Sequence, residues 1–158
     1  MTLEKKQEFT LKISQANKTQ MITIIYEIVI DYLESAISEI AEGRGEDAQR
    51  SLCGAQKGID ELIHSVNTRY ELGQNLLQIY IFSKKELTAA GASLASRRIK
   101  RVLKNFQALC GAYRELERYD NSETVMGNAQ KVYSGLTYGR NSMSVDFSSY
   151  ASNRGFRA

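Results

Sequence analysis

From Ala48 to Val66 the apolar residues Ala48, Leu52, Ala55, Ile59, Leu62 and Val66 recur at alternating intervals of four and three. That repeat holds one stripe on one face of a helix through several turns, and it is what the seam of a left-handed helical bundle requires. A helix built this way must bury its stripe against other helices of similar length. Gly54, Ala55 and Gly58 lie along the same stretch and would let a neighbour approach closely. Its start, near Glu46 and Asp47, places carboxylates at the positive end of the helix dipole.

Three partners are legible. From Asn17 to Glu42, Met21, Ile25, Ile28 and Tyr32 form one stripe and Ile22, Val29, Leu33, Ala36 and Ile40 form its neighbour. Asn17 suits the N-cap, Gln20 completes a capping box, and Gly43-Arg44-Gly45 supplies the stop. A third helix is predicted from about Glu71 to Ala90, ended by Gly91, after a short break near Asn67 to Tyr70. A fourth is predicted from about Ser96 to Tyr119, with Ile99, Val102, Phe106, Leu109, Cys110 and Tyr113 on its apolar face. The chain contains no proline, in keeping with uninterrupted helices. The fold class predicted is all-α, an antiparallel up-down four-helix bundle over residues 17–119. A short N-terminal segment (1–16) precedes it and a C-terminal extension (120–158) follows. That extension is rich in Ser, Gly and Asn yet carries Tyr133, Tyr138, Phe147, Tyr150 and Phe156. Such a segment is predicted to be either a flexible linker or a strap that lies on an apolar surface, within one chain or on a neighbour.

Little in the sequence suggests chemistry. His64 is the one histidine. Glu61-Leu62-Ile63-His64 matches half of a di-iron bundle motif, and a chain with one histidine cannot supply the other half. No catalytic residue, metal or cofactor is expected, and the two cysteines, Cys53 and Cys110, read as reduced small hydrophobes inside helices. The stretch Met21–Ile30 is interrupted by Thr23 and Glu27 and falls short of the ~20 apolar residues of a membrane span. With no secretory leader pattern visible, the expected location is the cytoplasm. A net charge of +3 is too small to imply nucleic-acid binding. Arg97, Arg98, Lys100, Arg101 and Lys104 do form a local basic run. Glu27, Asp31, Glu34, Glu39 and Glu42 of the first predicted helix are the expected complement to it.

The first predicted helix is apolar nearly all round between Met21 and Ile30, whereas one core needs only a stripe. Its second side must be buried against the chain's own tail or another chain, which points to a peptide-binding bundle. Ala16-Asn17-Lys18-Thr19-Gln20-Met21-Ile22-Thr23-Ile24-Ile25-Tyr26-Glu27 resembles the opening of the FliS family of flagellin export chaperones. Ala55-Gln56 with Ile59 and Glu61-Leu62 resembles that family's second helix, and Asn75-Leu76 with Ile79-Tyr80 its third. The resemblance implies a cytoplasmic chaperone without catalysis. Such a protein binds the disordered C-terminal segment of flagellin, prevents premature polymerisation and delivers the subunit to a component of the flagellar type III export gate. The client groove is expected on Ile22, Ile25, Tyr26, Val29 and Ile63, with Leu76, Ile79 and Tyr80, and with Gln56 and Asn75 as polar contacts. The competing reading is a homo-oligomeric helical bundle, or a weak homodimer, whose extra apolar face is a self-association interface.

Overall fold

A computed structural model of the protein describes residues 1–126. The aromatic tail positions for which a linker or strap was predicted, Tyr133 to Phe156, lie outside the described residues. The described chain is all-helical: α1 (Leu3–Gln15), α2 (Lys18–Ala41), α3 (Gly45–Ser65), α4 (Glu71–Ser93) and α5 (Ser96–Glu117). Local chemistry accounts for both ends of α2. Asn17 and Gln20 form the reciprocal capping box at the start of α2, and Gly43 takes a positive φ of 74° just past its end.

α2 packs along α3 and α5, and α4 packs along the same two helices. Gly58 lies against Val29 and Gly54 against the ring of Tyr32. A Cβ at either glycine would stand 2.6 Å from the α2 side chain, so the close approach expected from these small residues is realised. The repeat on α3 is buried from Ala48 through Leu62, and Val66 packs half-buried at its end. It meets Tyr26, Val29, Leu33 and Ala36 of α2, Leu76, Tyr80, Leu87 and Ala90 of α4, and Ile99, Val102, Phe106 and Cys110 of α5.

Residues 1–16, read from sequence as a short segment, contain a helix. Thr2 caps α1 by accepting from the Lys5 N–H, and the helix lies along the back of α2. The Met1 amino group donates to Ser35, Lys5 pairs with Asp31, and Lys12 pairs with Glu27 at 3.4 Å. The wide apolar circumference of α2 is thereby explained. One side enters the core between α3 and α5, and the other, with Thr23, Ile24 and Asp31 buried, lies under α1. Among the described residues, the second side is met by the chain's own N-terminal helix.

Two further sequence expectations are corrected. Gly91 does not end α4: it is helical and faces Leu52, and the helix runs on to Ser93. The stop is Leu94, a left-handed residue at φ 49°, whose side chain packs 3.2 Å from where a Cβ on Gly45 would stand. Cys53 is exposed on α3, whereas Cys110 is buried as expected and burial pushes its thiol pKa up.

Candidate functional site: an apolar cleft and grooves along α4

The break between α3 and α4 is made by Gly73. Its Cα lies so close beneath the Asn67 carbonyl that an added Cβ would stand 2.0 Å from that oxygen. Asn67 Oδ1 accepts from the Arg69 N–H at 3.1 Å, and Gln74 Nε2 donates to the Thr68 carbonyl at 3.0 Å. This folded turn brings Val66, Tyr70 and Leu72 beside Ile22 of α2, Leu76 and Tyr80 of α4 and Tyr113 of α5. Together they enclose an apolar cleft of about 320 Å³. Tyr70 and Leu72 stand on its rim, each 68% exposed.

The cleft floor is an aromatic cluster. Tyr26 packs against Phe106 at 5.7 Å and Tyr113 at 5.2 Å between ring centroids, and Tyr80 packs against Phe106 at 6.2 Å. The hydroxyls of Tyr26 and Tyr80 hydrogen-bond each other in the interior. Burial pushes the Tyr80 phenol up to about 12 and that of Tyr26 still higher, so both stay neutral hydrogen-bonding groups across the physiological range.

Two shallower grooves flank α4. Toward α5, Asn75, Gln78, Ile79 and Phe82 face Asn105 around about 420 Å³, and Phe82 is 45% exposed. Toward α3, Gln56 and Cys53 face Thr88 and Ala92 across about 320 Å³.

The sequence-predicted residues separate accordingly. Ile22, Leu76 and Tyr80 line the cleft, the last two as nearly buried wall and floor. Asn75 and Ile79 line the groove toward α5. Ile25 and Ile63 are half-buried against the core. Gln56 donates to Thr88 Oγ1 at 3.1 Å, a bond between helices. Tyr26 and Val29 are fully buried, because the side of α2 that carries them faces inward between α3 and α5, and they present no surface for a groove. Tyr70, Leu72 and Phe82 were missed. Leu72 continues the Leu76–Ile79 line on α4, which was the available signal for it.

Among the described residues no group of three or more His, Cys, Asp or Glu side chains could hold a metal ion. His64 is exposed, and its Nδ1 lies 2.7 Å from the Asp60 carbonyl of its own helix. No helix among them is long and apolar enough to cross a membrane.

The family described as Flagellar protein FliS matches residues 2–120, which take in all five helices and the cleft. The chain belongs to the FliS family. It is thereby placed among flagellar assembly chaperones. No curated relative matches the chain. The match begins at residue 2 and so includes α1, which lies before the stretch from Ala16 that carries the resemblance.

Proposed function

We propose that this FliS-family protein is a cytoplasmic chaperone for flagellin. It binds the C-terminal segment of the subunit, prevents premature polymerisation and delivers it to the flagellar type III export gate. The observation that carries this reading is the apolar surface along α4, with exposed Tyr70 and Leu72 on the rim of the cleft beside Ile22 and exposed Phe82 with half-buried Ile79 in the groove toward α5. Isolated apolar residues on a surface are ordinary, but several of them beside a preformed cleft suit the apolar face of an amphipathic segment.

The scaffold for that surface is inferred to be an antiparallel up-down four-helix bundle of α2 to α5. Pairings between neighbours support this. Asp60 meets Lys84 while Gln56 meets Thr88, and Arg114 meets Glu27 while Asp120 meets Thr19, so residue numbers rise on one helix as they fall on the other. Asn75 and Gln78, exposed beside Ile79, offer amides to the backbone of a bound segment.

Calorimetric titration with a peptide of the flagellin C-terminal segment tests the reading. Leu72→Asp and Phe82→Asp each introduce a charge on an exposed apolar position. Each should weaken binding by tenfold or more while far-UV helicity is kept. Equal affinities for both variants and the parent would remove α4 from the client site.

A further inference from the structure

The basic run at the start of α5 does not find the complement that its sequence context suggested. Four of the five expected carboxylates are paired elsewhere, Asp31 with Lys5, Glu27 with Lys12 and Arg114, and Glu39 and Glu42 with Arg44, and the fifth, Glu34, is exposed on the α1 side of α2 beside Lys5 and Glu8. A single carboxylate, Glu86 of α4, receives both Arg98 at 2.7 Å and Arg101 at 3.2 Å. Arg97, Lys100 and Lys104 are exposed and enter no ion pair among the described residues. They fall at three- and four-residue intervals, one stripe about 10 Å long on the outer face of α5.

These cations do not serve their helix. Arg97 lies in the first turn, where the dipole favours anions, and Ala95 provides no side-chain cap. Three like charges on one face add mutual repulsion. A stripe that opposes the stability of its own helix, with no carboxylate of the described chain against it, is matched by a partner that brings the carboxylates.

The stripe also stands apart from the cleft. α5 starts beside the last turn of α4, where Leu94 meets Gly45 at the first residue of α3, whereas the cleft is built on the other ends of α3 and α4. The same contact sets Glu46, exposed and in no ion pair among the described residues, at the stripe's end of the molecule, beside the neutralised Glu42–Arg44 pair. An extended polyanion such as duplex DNA or an anionic bilayer would meet the Glu46 carboxylate as well as the cations. A short acidic segment laid along α5 would not.

The geometry points to a second docking surface, the Arg97–Lys100–Lys104 stripe of α5, that takes an acidic segment of a protein partner while the cleft holds the client. The probe is a Glu-rich helix-forming peptide of about 20 residues, with its Lys-for-Glu counterpart as control. Binding to the full chain is followed by amide chemical shifts at low salt and at physiological salt. The Glu peptide should shift amides from Arg97 to Lys104, and its affinity should fall with salt. Affinity should drop about tenfold in the triple variant Arg97→Gln/Lys100→Gln/Lys104→Gln, as the loss of three exposed ion pairs predicts. The triple Glu variant at the same positions should instead bind the Lys peptide, with shifts confined to α5 in an otherwise parent-like amide spectrum, which an unfolded chain could not show. Unchanged affinity in the Gln variant, or shifts confined to other helices, would overturn the proposal. So would a DNA duplex or phosphatidylglycerol vesicles binding through these residues more tightly than the Glu peptide at equal salt.

Discussion

Removing one hydroxyl from the Tyr26–Tyr80 pair tests the cleft floor, because the two groups depend on each other. Tyr26 is fully buried and Tyr80 is 1% exposed, and their hydroxyls are bonded together. Phe at either position keeps the ring packing against Phe106 and strands the partner's hydroxyl. A buried hydroxyl left without a partner costs about 1–3 kcal/mol. The two single variants should not be equal. Tyr80→Phe strands the Tyr26 hydroxyl in the interior, at the upper end of that range. Tyr26→Phe strands that of Tyr80, a residue that lines the cleft, and is expected at the lower end. The double variant leaves no orphan and should cost no more than the milder single, so the two changes should fall short of additivity by about 3 kcal/mol. Urea denaturation at pH 7, followed by far-UV circular dichroism, measures all four proteins.

Alkaline pH gives a second reading of the same pair. Both phenols are raised above their unfolded value of about 10, Tyr80 to about 12, chiefly by burial. Their contribution is therefore complete below about pH 10. It declines as pH rises through about 12, because the unfolded chain ionises first. The slope is about 1.4 kcal/mol per pH unit for each phenol. The double Phe variant should flatten this limb. Tyr113, also raised by burial, leaves a remnant. Additive single variants, or an unchanged alkaline limb in the double variant, would refute the reasoning.

Other substitutions probe the packing and the ends. Gly58→Ala gains about 1 kcal/mol of helix propensity but drives a methyl to within 2.6 Å of the buried, rotamer-stiff Val29. Overpacking at about 1–3 kcal/mol should prevail and lower the thermal midpoint; an unchanged midpoint would show that α2 and α3 separate freely. Gly54→Ala should cost less, since the half-exposed Tyr32 ring can swing outward. Asp120 accepts hydrogen bonds from Ser122 and Thr19, which hold its pKa down at about 2. The clip it makes, with the Val125 N–H on the Ala16 carbonyl at 2.9 Å, should persist above about pH 4 and open as pH falls toward 2. Faster exchange of the Val125 amide over that interval would report it, and a flat profile would contradict it. Asp31→Asn removes the carboxylate under Lys5 and should raise hydrogen exchange in α1 selectively, leaving α3 to α5 protected.

Periodicity in the sequence determined that the described residues are helical and, but for the stop of α4, about where α2 to α5 run. The sequence also determined that Gly54 and Gly58 admit a neighbouring helix. Those features are written locally, in the spacing of apolar residues and in caps such as Asn17 with Gln20. The fate of each apolar side depended on what came to face it, and that is a tertiary fact. Tyr26 and Val29 look no different in sequence from Ile22, yet the inward side of α2 buries the first two and the cleft leaves the third accessible. α1 was invisible as a partner because it is held by polar pairs such as Lys5 with Asp31 and buries no residue of its own. The cleft itself arises from a turn folded over Gly73, a backbone approach that no side-chain pattern encodes. Arg97 lacks its complement for the same kind of reason. Pairing is settled by which carboxylates lie within a few ångströms, and the packing of α2 gave those to Lys5, Lys12, Arg44 and Arg114.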